Sequence, residues 1–153
     1  MILNDGAETM SLDGGSKGVP FRRLTGGRLR EVYYLQVWPN LLVSIHPDYV
    51  MTHILEPLSS STTRIVCAWL FPPEARERAD FDPAYATEFW DLTNRQDWAA
   101  CEGVQRGVAS RGYRQGPLSD QERIVHQAIA LAARGYLEGG PPAPVSRSRA
   151  AAS

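Results

Sequence analysis

The chain has few cysteines, no long apolar run and no concentration of positive charge. Its only two cysteines, Cys67 and Cys101, are too few for a disulfide framework or a Cys-rich metal site. No window approaches the roughly 18 continuous apolar residues of a membrane span, and the N-terminus lacks the basic and apolar regions of a signal peptide. The composition therefore predicts a reduced, cytoplasmic protein with no membrane partner.

The charge balance also excludes a class of partner. The chain carries 16 basic and 17 acidic side chains, a net charge of -1, and no stretch concentrates Lys and Arg as a nucleic-acid surface does. No nucleic-acid partner is expected. A 43% hydrophobic content within 153 residues is enough for the core of one domain.

The two ends of the chain differ from its middle. Residues 1–20 are rich in Gly, Asp and Ser without periodicity, which predicts a disordered or loop segment. Residues 139–153 begin with two glycines and two prolines and predict a disordered tail. The folded domain is expected over residues 21–138.

The first half of this domain has the pattern of an antiparallel sheet. Turns at residues 38–40 and 46–48 and a serine-rich loop separate runs of β-branched, aromatic and apolar side chains. Four strands are predicted in sequence, in residues 30–37, 41–45, 49–55 and 62–71. On the third strand the period of two places Tyr49, Met51, His53 and Leu55 on one face.

The second half is helical. The run Ala84–Val108 has no internal proline, and Ser119 with Glu122 forms a capping-box pattern before a second amphipathic run. Strands followed by helices predict an α+β fold, an antiparallel sheet with C-terminal helices.

One carboxylate in the first helix needs an explanation. At 100° per residue, Asp97 falls near the middle of the apolar arc that contains Trp90 and Val104, so it is expected to face the core. A buried carboxylate is protonated, pairs with a base or binds a cation. An ion pair with an arginine and a wet helix edge are the alternatives.

Histidines that could complete a metal site are few. His46 lies in a proline turn and is predicted at the surface, and His126 falls among polar positions of the last helix. His53 shares a strand face with Met51, where a hydrogen-bonded histidine is commoner than a ligand. A triad of His46, His53 and Asp97 within this chain is therefore not favoured.

Several segments in order resemble a known family. They are residues 37–49 (VWPNLLVSIHPDY), residues 53–57 (HILEP) and residues 89–107 (FWDLTNRQDWAACEGVQRG). The pattern continues through Ser110, Tyr113, Gly116, Pro117, Leu118 and Glu122. Together they resemble the catalytic domain of Rieske non-haem iron ring-hydroxylating oxygenase alpha subunits, particularly the choline and betaine monooxygenase-like subgroup. The resemblance implies a partial helix-grip domain.

The resemblance also implies a metal and its ligand. In that family two histidines and a carboxylate hold a mononuclear Fe(II), and the matching carboxylate position is Asp97, with Asn94 as a weaker candidate. The family's [2Fe–2S] centre needs Cys-x-His and Cys-x-x-His pairs, and neither is in this sequence. The iron-binding histidines are expected upstream of Met1, so the chain alone is expected to be inactive.

Function and partners follow as expectations. The chain is interpreted as a fragment that contributes the iron carboxylate and part of the pocket for O2-dependent hydroxylation of an aromatic compound or a quaternary amine. Its expected partners are the upstream half of the alpha subunit, a ferredoxin or reductase electron donor, and further copies in a homotrimer. The alternative is a non-catalytic helix-grip module that binds an apolar small molecule. Candidate pocket residues are Tyr33, Tyr34, Met51 and Trp69.

Overall fold

The computed structural model describes residues 1–139, which belong to two units, Met1–Tyr113 and Arg114–Ser153. The first unit contains an antiparallel sheet in the order β1-β2-β3-β4, followed by helices, so the predicted α+β class is confirmed. Its elements are β1 (Tyr33–Val37), β2 (Leu41–Ile45), β3 (Val50–Pro57), β4 (Thr63–Leu70), α1 (Pro73–Arg76) and α2 (Ala84–Val108).

The strand register sorts the sheet side chains onto two faces. Directly paired residues of antiparallel neighbours share a face, so each strand contributes every second residue to each side. The face toward α2, called the helix face, carries two cross-strand rows, Tyr34–Ser44–Met51–Trp69 and Gln36–Leu42–His53–Cys67. The predicted shared face of Met51 and His53 is therefore confirmed.

The core lies between the helix face and the first half of α2. Tyr49, Met51, Tyr85, Ala86 and Trp90 form its buried cluster. The Trp90 indole Nε1 donates a hydrogen bond of 2.9 Å to the Tyr49 hydroxyl, which fixes the helix against the start of β3.

The opposite side of the sheet, called the open face, is also apolar. A sheet that is apolar on both faces is typical of a middle layer. In the described residues much of this side is exposed, including Leu35, Val37, Ile54, Val66 and Leu70. The open face consists of Tyr33, Leu35, Val37, Leu41, Val43, Ile45, Val50, Thr52, Ile54, Val66, Ala68 and Leu70.

Residues 1–20 contain no helix or strand apart from a single bridge between Ile2 and Glu31. The segment is nevertheless held in place, since Leu3 and Thr9 are buried and the Met1 amino group donates to the Val32 carbonyl. The predicted domain limits at residues 20 and 138 stay predictions, and all of the predicted tail after Gly139 lies outside the described residues.

The second unit contains a 3-10 helix (Asp120–Glu122), which has the predicted capping box of Ser119 and Glu122, and α3 (Arg123–Glu138) follows it directly. It ends at Gly139, whose φ of 64° suits glycine. Within residues 1–139 no helix is long and apolar enough to cross a bilayer.

Candidate metal-ligand site on helix α2

Asp97 lies on α2 with its side chain exposed. The prediction that it points into a core is wrong for the described chain. Within residues 1–139 its carboxylate has no hydrogen bond or ion pair, in contrast to Asp91, which accepts a hydrogen bond from Arg95 one turn later. The carboxylate is therefore an open acceptor.

Asp97 is exposed because the sheet covers only the first half of α2. By helical periodicity Asp97 belongs to the same stripe as Ala86 and Trp90, both buried, and as Val104, which is 64% exposed. The buried positions of α2 stop at Asn94. The stripe is thus correctly predicted, but only its first half has the sheet against it.

Asn94, the weaker ligand candidate, has a different environment. It is 5% exposed, and its Oδ1 lies 3.0 Å from His53 Nε2. Its Nδ2 lies 3.7 Å from the Cys67 sulfur, and burial raises the pKa of that thiol, which keeps it protonated. Because both ends of the amide contact the sheet, Asn94 is less available to a further partner than the exposed Asp97 carboxylate.

His46 is buried, so its predicted surface position is wrong. The turn brings its ring beneath α2, where it stacks on Tyr49 at 4.1 Å and meets Trp90 edge-on at 5.7 Å. Neither ring nitrogen has a hydrogen-bond partner in the described chain. Burial lowers the pKa of His46 to about 4, so the ring is neutral at pH 7.

His46 and His53 are not arranged as a metal site with Asp97. His46 is stacked in the core, His53 bonds Asn94, and His126 is exposed on α3. Within residues 1–139 no group of three or more His, Cys, Asp or Glu side chains could hold a metal ion.

A second polar cluster surrounds Asp48, which sequence reasoning assigned only to a turn. The buried carboxylate accepts hydrogen bonds from Thr9 and Ser16 at 2.5 Å and from Tyr85 at 2.8 Å. Burial and the Asp48 charge raise the pKa of Tyr85, so its hydroxyl remains a donor. The cluster joins the N-terminal segment to α2. The partners of Asp48 lie 32 to 39 residues away in the chain, so no local sequence signal identifies the cluster.

The four candidate pocket residues do not form one surface. Tyr33 and Tyr34 are half-exposed on opposite faces of β1, whereas Met51 is fully buried and Trp69 packs against the core cluster. Met51 and Trp69 therefore act as core residues in the described chain.

A family model for the ring hydroxylating alpha subunit (catalytic domain) matches residues 1–134. The chain belongs to this family. It is a family of Rieske non-haem iron oxygenases, whose members carry iron and a [2Fe–2S] cluster. The resemblance found in the sequence is thus confirmed, and its choline and betaine monooxygenase-like subgroup is confirmed by the relatives that the chain matches.

The relatives of this ring-hydroxylating alpha-subunit chain are oxygenases. It is 33% identical over 123 residues to a glycine betaine monooxygenase oxygenase subunit of Pseudomonas aeruginosa, covering 78% of the chain and 28% of that protein. The corresponding protein of Chromohalobacter salexigens is 30% identical over 122 residues, covering 75% and 26%. Choline monooxygenase, chloroplastic, of Arabidopsis thaliana is 26% identical over 101 residues, covering 66% and 24%.

The chain thus spans about a quarter of the length of these relatives. Its own residues do not fit the family's [2Fe–2S] cluster, because neither cysteine begins a Cys-x-His or Cys-x-x-His pair. Within residues 1–139 no set of side chains could hold the mononuclear iron by itself, and Asp97, the carboxylate that the resemblance assigns to the iron, is exposed without a hydrogen bond or ion pair.

Proposed function

We propose that this chain contributes Asp97 as the carboxylate ligand of the mononuclear iron in a ring-hydroxylating oxygenase alpha subunit, and that the two histidine ligands come from polypeptide outside residues 1–153. The assembled protein hydroxylates a quaternary ammonium compound in the cytoplasm. It takes electrons from a ferredoxin or reductase and assembles as a homotrimer.

The observation that supports the proposal is that Asp97 lies on an apolar stripe without a partner for its charge. It lies on the apolar stripe of α2, in the helix segment that resembles the family's ligand helix, yet it has no partner in the described chain. An acid amid apolar side chains is costly to cover unless a cation meets it. A metal held partly by a covering polypeptide would neutralise the Asp97 carboxylate, and the polypeptide would bury the apolar stripe.

The stripe around Asp97 indicates where that polypeptide lies. Val104 and Val108 on the second half of α2 are exposed, and so are large apolar side chains of the open face. Exposed apolar surface of this extent marks an interaction site. When bound, iron supplies dioxygen activation, while this chain holds the ligand carboxylate on a rigid helix and the covering polypeptide excludes water beside it.

The names of the relatives support a quaternary amine as substrate. Three of the relatives act, by their names, on glycine betaine or choline. An aromatic compound is the competing substrate class, and parallel assays with glycine betaine and with an aromatic carboxylate separate the two.

The experiment co-expresses the chain with the preceding part of the Pseudomonas aeruginosa relative and compares the parent with Asp97→Ala. Glu88→Ala is the matched control, because Glu88 is also an exposed acid of α2 but lies about 180° around the helix from Asp97. We expect about one iron per site in the parent and the control, and at least a tenfold loss in Asp97→Ala.

Oxygen uptake that depends on glycine betaine should follow the iron content. Full iron and full uptake in Asp97→Ala would end the ligand assignment. Binding of apolar compounds by a complex that takes up no iron would instead favour the non-catalytic module.

A further inference from the structure

We infer that the hydrogen bond between His53 and Asn94 positions Asp97 for iron, so that both residues are positioning residues of the metal site. The inference rests on the proposed role of Asp97. It concerns two side chains that have no metal contact of their own, because His53 Nε2 and Asn94 Oδ1 bind each other at 3.0 Å.

The place of Asn94 along α2 gives it this role. It is the last buried residue of the helix, and every later residue is at least partly exposed. Asp97 follows three residues later, about 4.5 Å further along the helix axis and about 60° around it. Because the Asp97 carboxylate has no hydrogen bond or ion pair in the described chain, its position is set by the helix backbone and hence by the buried residue nearest to it on the helix.

The anchor at Asn94 is directional. Its amide reaches His53 on β3 and Cys67 on β4, which are paired directly across the two strands. Apolar packing alone leaves a helix free to rotate or slide by small amounts, since the hydrophobic effect has no preferred direction. A hydrogen bond loses strength within a few tenths of an ångström, so it fixes the rotation of the helix more tightly.

A second anchor lies one turn earlier. Trp90 donates to the Tyr49 hydroxyl at 2.9 Å, and its ring meets His53 edge-on at 5.8 Å. Two directional contacts four residues apart define both the rotation and the axial position of α2. Trp90 also fills the core, whereas the hydrogen bond between His53 and Asn94 mainly aligns the helix with the sheet. The latter is therefore the bond that can be removed without emptying the core.

The test uses the iron-loaded complex of the chain and the preceding part of the relative. Asn94→Leu and His53→Leu remove the bond with little change in volume. His53→Gln is the conservative variant, because the glutamine amide nitrogen occupies nearly the place of Nε2 and donates to Asn94 Oδ1. Iron affinity and the EPR spectrum of the nitric oxide adduct of the ferrous iron are measured beside circular dichroism.

We expect Asn94→Leu and His53→Leu to weaken iron binding about tenfold and to change the rhombicity of the EPR spectrum, with the far-ultraviolet spectrum preserved. His53→Gln should restore both readouts to near the parent values. A purely structural role would lower stability in the leucine variants and leave the EPR spectrum of the remaining loaded protein unchanged, which would overturn the inference.

The Asp97→Ala variant separates this inference from the proposed function. If Asp97→Ala loses iron while both leucine variants keep the parent affinity and spectrum, the ligand role stands and the positioning role is wrong. If Asp97→Ala keeps its iron, the ligand role is wrong and the positioning role falls with it.

Discussion

The two halves of α2 have the same amphipathic pattern and opposite surroundings. In residues 84–94 the apolar stripe is buried against the sheet, where Trp90 hydrogen bonds to Tyr49, just before β3, and Asn94 to His53 on β3. In residues 95–108 the stripe continues through Asp97 and Val104 but is open to solvent. Periodicity therefore determines which side chains share a stripe, and the rest of the fold determines whether that stripe is covered.

The largest contrast is expected between core positions of the two halves. Trp90→Ala should lower the free energy of unfolding by about 3–5 kcal/mol, because it removes a buried ring and a hydrogen bond. Val104→Ala, on the open half, should change it by less than about 0.5 kcal/mol. Urea denaturation of the dilute chain measures both, and equal effects would contradict the division of the helix.

The turn beneath the buried half of α2 contains His46, and the burial of this histidine predicts that the stability of the chain depends on pH. Its folded-state pKa of about 4 lies below the ordinary value of 6.5, so the unfolded chain binds the proton more tightly. This contribution to stability is complete above pH 6.5 and is lost as the pH falls toward 4, by an amount on the order of 3 kcal/mol.

His46→Phe keeps the ring stack on Tyr49 and should flatten the stability profile between pH 6.5 and pH 5. The control is His126→Phe on the exposed face of α3, which should leave the parent profile unchanged. An unaltered slope in His46→Phe would show that the buried imidazole is not the titrating group. Denaturation curves at several pH values measure the slope.

A smaller effect is expected where the N-terminal segment meets the covered half. Tyr85→Phe removes the hydroxyl that donates to the buried Asp48 carboxylate at 2.8 Å, and should cost about 1.5–3 kcal/mol. Tyr34→Phe, at a half-exposed hydroxyl on β1, should cost less than about 0.5 kcal/mol. A neutral Tyr85→Phe in thermal or urea unfolding would show that the cluster contributes no net stability.

The smallest change in stability is expected on the open face. Ile54 and Val66 are paired directly across β3 and β4. The double variant with Ile54→Thr and Val66→Thr should change the free energy of unfolding by less than about 0.5 kcal/mol. It should lower the fluorescence of a bound hydrophobic dye, which the parent chain is expected to bind. Unchanged dye fluorescence would place the dye site elsewhere.

Sequence reasoning predicted the regular elements well because their signals are local. The bounds of α2 match the prediction, the four strands follow their turns, and the pair of Ser119 and Glu122 caps as expected. Asp97 could be proposed as a ligand position from periodicity and family likeness. Its exposure could not, because exposure depends on which polypeptide lies opposite and not on the pattern of the helix itself.

The error at His46 has the same origin, whereas the hydrogen-bonded state of His53 was correctly predicted without its partner. A Pro turn is usually exposed, but the one at His46 folds under Trp90 and beside Tyr49, through contacts that are distant in sequence. The bond between His53 and Asn94 joins residues 41 positions apart, and no local signal encodes such a pair. Asp48 was missed for the same reason.

The most direct test locates the iron on the chain. An isotope-labelled chain is assembled with the unlabelled preceding part of the relative, and its amide NMR spectrum with Fe(II) is compared with that obtained with diamagnetic Zn(II). We predict that paramagnetic broadening is strongest from Gln96 to Cys101 and weakens toward Glu88, which is about 13.5 Å back along the helix. Strongest broadening around His46 or on the open face, with the second half of α2 unaffected, would contradict Asp97 as the ligand.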